Sequence, residues 1–107
     1  MVKPRRFEVY LVALDPTVGS EIRKTRPCVV VSPDEANIAL NTIVGAPMTS
    51  TVRGYPTRVN VRFQGRRGEI AIDQLRALDT RRLIKKLGMI SPEAQRKLTA
   101  GLLEFFS

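Results

Sequence analysis

The sequence predicts a mainly β (α+β) fold in which five to seven short strands bend into a small sheet or barrel and one helix ends the chain. Three observations carry that expectation. Apolar and polar residues alternate over short runs, most cleanly where Val59, Val61 and Phe63 face one way and Arg58, Asn60 and Arg62 the other. Turn-forming Gly, Pro and Asp residues separate these runs. Ser91-Pro92-Glu93 combines an N-cap, a first-turn proline and a first-turn acid, and Ala94, Leu98, Leu102 and Phe105 follow at helical spacing.

In chain order, residues 7–14 are rich in β-branched and aromatic types and form the first expected strand, bounded by Asp15-Pro16. Residues 15–26 have no period and form a long polar loop. Residues 27–32 are continuously apolar, as expected of a central strand. Asp34 is placed to cap a short helical turn through Ala39. A third strand spans 42–48, with Pro47 implying an edge or a bulge near its end. Residues 49–56 form a loop closed by Gly54-Tyr55-Pro56, and 57–63 a half-buried strand with a basic outer face. A turn over 64–68 leads into alternation over 69–73, and 75–78 continue extended. Residues 79–83 make one helical turn, and 84–90 a last strand.

With 107 residues and no linker, repeat or low-complexity segment, residues 1–107 are expected to form one domain. The apolar fraction is 43%, that of a globular chain. No apolar run approaches the roughly 18 residues of a membrane span. The basic N-terminus, Met1-Val2-Lys3-Pro4-Arg5-Arg6, is not followed by a signal-peptide core, so a cytoplasmic location is expected.

Charge is the strongest compositional feature. Eighteen Lys and Arg against ten Asp and Glu leave +8, and thirteen of the eighteen are Arg. Arginine's planar fork binds phosphate at two points, so a polyanionic partner is the natural expectation. The absence of His removes imidazole-based triads, His zinc sites and the paired-His route to RNA cleavage. The single cysteine, Cys28, lies in an apolar run with no imidazole to activate it, and is expected to be a small buried hydrophobe.

Three stretches hold side chains suited to chemistry. In the 15–26 loop, Pro27 forces Arg26 into extended conformation, so a strand aims its guanidinium, while Glu21 lies five residues upstream. The pair is either a surface ion pair or a base and a phosphate-binding cation sharing one site. Thr49, Ser50 and Thr51 bring three hydroxyls to a strand end, either to satisfy local backbone or to contact phosphate. Gln74, between Asp73 and Leu75 and close to Arg76, is a surface amide or a base or phosphate contact. Arg66-Arg67, Arg81-Arg82 and Lys85-Lys86 fit a solvated face or a groove tracking a nucleic-acid backbone. Tyr55 is the aromatic residue best placed to stack on a base.

Taken together, these motifs resemble the MazF/PemK toxin family. The resemblance rests on Val9-Tyr10-Leu11-Val12, Leu14-Asp15-Pro16-Thr17, Gly19-Ser20-Glu21 and Thr25-Arg26-Pro27-Cys28-Val29-Val30-Val31-Ser32. It continues through Ala46-Pro47-Met48-Thr49-Ser50, Tyr55-Pro56-Thr57, Arg67-Gly68 and Asp73-Gln74-Leu75-Arg76, in order across about residues 7–90. It implies an SH3-like β-barrel with short helices, a homodimer, and sequence-specific, metal-independent cleavage of single-stranded RNA to 2′,3′-cyclic phosphate and 5′-hydroxyl ends. It also implies inhibition by an antitoxin with an acidic segment, and no cofactor. By the same resemblance Glu21 is the base, Arg26 the catalytic arginine and Thr49 a phosphate-contacting hydroxyl. Ser20 and Gln74 line the substrate groove, and Lys24, Ser50, Tyr55 and Arg76 join them as expected RNA contacts. The chain departs from the family at Ile22 and Lys24, where Gln and Gly are frequent. Two alternatives stand beside this reading: a CcdB-like toxin that grips gyrase without catalysis, and an RNA-binding domain that has lost turnover.

Overall fold

The computed structural model describes residues 3–107, so the start of the N-terminal segment, Met1 and Val2, lies outside them. The strands are β1 (Glu8–Ala13), β2 (Thr25–Val30), β3 (Thr42–Thr49), β4 (Arg58–Phe63), β5 (Arg66–Ala71), β6 (Arg76–Asp79) and β7 (Leu83–Met89). Helix α1 (Asp34–Ala39) links β2 to β3, and helix α2 (Pro92–Phe105) ends the fold. Short 3-10 turns at Ile72–Gln74 and Thr80–Arg82 flank β6.

All pairings are antiparallel, in the order β4-β5-β3-β2-β1-β7, with β6 also on β3. The path does not close, so the molecule is a strongly bent, barrel-like sheet. Its bend is made by β3. Residues 42–45 pair with β6, ending at Gly45↔Arg76, and residues 48–49 pair with β5, starting at Met48↔Ile70. Pro47 falls in the interval between the two partners. The expected edge position is therefore corrected: β3 is interior, and its proline sits where one flank of the strand is changing partner.

Strand β2 is central, and its unbroken apolar run serves two cores. Val29 packs with Val9, Ala46, Met48, Ile70, Ile72, Ala94 and Leu98, whereas Cys28 and Val30 pack with Val12, Leu14, Ile43 and Leu78. Successive side chains of a strand point to opposite faces, so a strand covered on both sides must be apolar at every position. The α2 start is as expected: Ser91 Oγ accepts the Ala94 N–H at 3.2 Å, and Ala94 and Leu98 are buried against the first core.

Four local expectations are corrected. Asp34 is the first helical residue and not the cap; its carboxylate accepts the Arg6 N–H at 2.8 Å, and Pro33 holds the N-cap without a side-chain bond. The 64–68 turn is only Gln64-Gly65, both at positive φ (51° and 77°), as a two-residue hairpin turn requires, and β5 begins at Arg66. Phe105 is 41% exposed instead of core. Arg58, assigned by alternation to the solvated face of β4, has a side chain only 7% exposed, because Glu69 and Asp73 fold over it.

Candidate active site

Two cavities are each bordered by residues of β3, Met48 and Thr49 in one and Pro47 in the other. The first, about 530 Å³, is bordered by Arg26 from β2, Thr49 from the end of β3, Ser50 just after it, and Arg66, Arg67 and Gly68 from β5. The second, about 400 Å³, is bordered by Ser20 and Glu21 from the 14–24 loop, Pro47 from β3, and Gln74 and Arg76. The structure therefore brings Arg26, Thr49 and Ser50 together, and separately Ser20, Glu21, Gln74 and Arg76. Glu21 and Arg26 form no salt bridge among the described residues.

Arg26 enters the first cavity from a rigid strand, in register with Val12 of β1. Its Nε donates to the Arg23 carbonyl at 3.3 Å, and no acid pairs with it among the described residues. The Thr49 hydroxyl accepts the Thr51 N–H at 3.1 Å, which leaves its own hydrogen to donate. The local-backbone reading and the phosphate reading of this hydroxyl are thus compatible. Gly68 lies against the same strand end: a Cβ there would stand 2.6 Å from the Thr49 carbonyl oxygen. Glycine at 68 is what lets β5 close on β3 beside the cavity.

Glu21 is exposed, and one carboxylate oxygen accepts the Val18 N–H of its own loop at 2.6 Å. Gln74 spends both ends of its amide on that loop, accepting the Ile22 N–H at 3.1 Å and donating to the Ser20 carbonyl at 3.4 Å. Its observed contacts fix loop shape, a role the sequence reading missed. The two departures from the family pattern have physical consequences. Ile22 packs on the second core with Tyr10 and Leu83, anchoring the loop by an apolar side chain. Lys24 sits at φ 69°, where glycine is relaxed and an L side chain is strained, and its carbonyl accepts the Leu14 N–H at 2.9 Å.

Much of the positive charge is already engaged. Arg82 Nη1 donates to the carbonyls of Ala13, Leu14 and Asp15, Arg76 Nη1 donates to that of Leu14, and Lys86 pairs with Glu8. Tyr55 is half exposed and stacks beneath the Arg58 guanidinium, 5.1 Å from ring centre to Cζ. Cys28 is buried, and burial pushes its thiol up to about 12 even though the Arg76 charge pulls the other way, so it behaves as the expected inert hydrophobe. No three His, Cys, Asp or Glu side chains are grouped to hold a metal ion among the described residues, and no helix is long and apolar enough to cross a membrane.

A family model described as "PemK-like, MazF-like toxin of type II toxin-antitoxin system" matches residues 5–106. The chain belongs to this family. It is 32% identical to endoribonuclease MazF9 of Mycobacterium tuberculosis, over 92% of both chains. Its fold superposes on that of Deinococcus radiodurans MazF with a TM-score of 0.87, at 25% identity, covering 99% of this chain and 98% of the other. A mycobacterial endoribonuclease solved with its cognate antitoxin superposes with a TM-score of 0.82, at 24% identity, covering 96% and 94%. The toxin is thus a homologue of an endoribonuclease on a MazF fold.

The residues that sequence reasoning overlooked are Gly68 as a spacer and the buried Glu69. Glu69 had one usable signal: Ala71, two positions on along the same strand face, is small and apolar, which marks that face as covered.

Proposed function

We propose that this toxin is a single-domain, metal-independent endoribonuclease that cuts single-stranded RNA, with the scissile phosphate held in the Arg26–Thr49 cavity. The observation that carries the reading is that cavity itself: an acid-free guanidinium and a donor hydroxyl facing one space, in a chain homologous to an endoribonuclease.

RNA supplies its own nucleophile. The 2′-oxygen bonds to phosphorus as the bond to the 5′-oxygen breaks, leaving a 2′,3′-cyclic phosphate and a 5′-hydroxyl. Charge builds on the non-bridging oxygens, where Arg26 and the Thr49 hydroxyl stabilise it from fixed positions. Arginine is a poor acid near neutral pH, so Arg26 acts by charge, and the departing 5′-oxygen takes its proton from solvent. Glu21 receives the 2′-hydroxyl proton. Its side chain is exposed and holds the Val18 N–H through one oxygen, which leaves the other free to take the proton while Gln74 and Ile22 keep the loop in place. Ser20, Lys24, Ser50, Tyr55, Gln74 and Arg76 border the RNA path. The toxin acts as a homodimer in the cytoplasm, and an antitoxin with an acidic segment restrains it by competing for the basic cavity.

The test is to map cleavage ends on a long RNA in excess EDTA, wild type beside Arg26→Ala. Wild type should cut at discrete sites with cyclic-phosphate ends, and Arg26→Ala should be slower by about 10²–10³-fold. RNA left whole by the wild type would rule the nuclease out and favour a gyrase-binding toxin or an inactive RNA binder.

A further inference from the structure

Residues 50–57 connect β3 to β4 without regular structure and are almost wholly exposed. A segment of this kind ordinarily samples many conformations. Here its centre is tied to the interior by one carboxylate. Glu69, on β5 and paired in register with Thr49, is 0% exposed. Its Oε1 accepts the Arg53 N–H at 3.1 Å and its Oε2 the Gly54 N–H at 2.9 Å. Gly54, at φ 69°, supplies the left-handed turn next to these two successive N–H groups.

Arg58 completes the clamp. Its Nη1 lies 3.6 Å from Glu69 Oε1, its Nε and Nη2 reach Asp73 at 2.7 and 3.2 Å, and its face covers Tyr55. The Thr57 hydroxyl also donates to Asp73, at 3.4 Å. The next residue, Gln74, fixes the loop that carries Ser20 and Glu21. One contiguous network, 69–58–73–74, thus holds the loop beside Thr49 and the loop bearing Glu21. Buried ion pairs add little stability over apolar replacements, but an apolar side chain cannot accept two backbone N–H bonds. What Glu69 supplies is loop conformation.

We propose that Glu69 is a positioning residue for base recognition: by holding the Arg53 and Gly54 N–H groups it presents the 51–57 loop, with the ring of Tyr55, in one arrangement and so sets which bases are accepted beside the scissile phosphate. The proposal rests on the endoribonuclease reading and deepens it.

Glu69→Gln, Glu69→Ala and Gly54→Ala are compared with wild type by three measurements. These are cleavage sites on a long RNA, kcat and KM on a short oligonucleotide carrying a wild-type site, and thermal melting. Glu69→Gln replaces one acceptor with an amide N–H₂ that opposes a backbone donor. It should raise KM about tenfold with kcat within about twofold, and cut at sites the wild type ignores. Gly54→Ala strains the turn from the solvent side, where a Cβ meets nothing within 4 Å, and should broaden the sites likewise even if Glu69→Ala fails to fold. Folded Glu69→Gln and Gly54→Ala proteins that keep the wild-type sites and KM, whatever their melting temperatures, would overturn the proposal. A wild type that cuts no RNA would instead remove the nuclease reading beneath it.

Discussion

Gly68→Ala is the sharpest probe of the cavity, because it adds one methyl group against the Thr49 backbone carbonyl and changes no functional side chain. Gly68 has no left-handed φ, so alanine suits its backbone, and the whole effect is one of space. The added Cβ would lie 2.6 Å from the Thr49 carbonyl oxygen, 3.4 Å from its carbon and 3.8 Å from Ser50 Cα. A relaxed carbon–oxygen contact is about 3.3 Å or more, so the end of β3 must retreat from β5 by about 0.7 Å. The obstacle is backbone and cannot rotate away. Overpacking of this kind costs about 1–3 kcal/mol of stability. A catalytic group misplaced by about 1 Å costs on the order of 10²-fold in rate, so kcat/KM should fall by about 10- to 100-fold, or about 1.4–2.7 kcal/mol of transition-state stabilisation. The control is Gly45→Ala on β3, whose Cβ meets the Leu78 and Ile43 methyl ends at 3.1 and 3.4 Å and the Val29 carbonyl oxygen at 3.5 Å. Its side-chain neighbours can shift, and it should keep wild-type kcat/KM. The assay is cleavage of a fluorogenic RNA oligonucleotide at a temperature where both variants are folded. A folded Gly68→Ala protein with wild-type kcat/KM would refute the placement of the phosphate beside Thr49, and an equal loss in Gly45→Ala would reduce the effect to general destabilisation.

Glu21→Gln should lower kcat by about 10²–10⁴-fold with little change in melting temperature, since the amide oxygen can still accept the Val18 N–H. Single-turnover kinetics decide this, and an unchanged rate would remove Glu21 as the base. The Cys28 thiol, pushed up to about 12 by burial, should resist thiol reagents at pH 8 in native protein and react fully only on unfolding; rapid native labelling would contradict its place in the core. Burial alone would raise the Glu8 and Asp73 carboxyls, but Lys86, the Arg5 N–H and Tyr10 on the first, and chiefly Arg58 on the second, hold both below their ordinary values of 4.5 and 3.8. Each therefore stabilises the fold fully above those ordinary values and loses its contribution as pH falls through the lower folded value. Melting temperature should drop below about pH 4.5, less steeply in Glu8→Gln, and parallel curves for the two proteins would sink the assignment.

What the sequence made legible was whatever depends on period and parity. Alternation located β4, the unbroken apolar run located β2 at the centre, and Ser91-Pro92 located the start of α2 to the residue. Parity also misled. It placed Arg58 on a solvated face, because alternation says which residues share a face and not what later folds over that face. Asp73 lies 15 residues on, in the 3-10 turn that follows β5, and the β4–β5 hairpin, which sets Ala71 opposite Arg58, returns the chain to the start of β4. Proximity in sequence misled likewise: Glu21 and Arg26 are five residues apart, yet one belongs to a loop pinned by Ile22 and Gln74 and the other to a strand, with the turn at Lys24 between them.

Net charge shows the same gap between composition and site. A chain at +8 is expected to attract RNA everywhere, but the guanidinium groups of Arg58, Arg76 and Arg82 and the ammonium of Lys86 are turned to acceptors within the fold. Arg26, Arg66 and Arg67 join no ion pair among the described residues, and all three border the cavity that holds Thr49. Arg26 gives only its Nε to a carbonyl, and a cation with no acid partner beside a hydroxyl positions a phosphate, whereas one neutralised by a carboxylate mostly adds to the distant field. Around Thr49, the charge that could act on a phosphate is that of the three guanidinium groups bordering the cavity without an acid partner, and not the toxin's total.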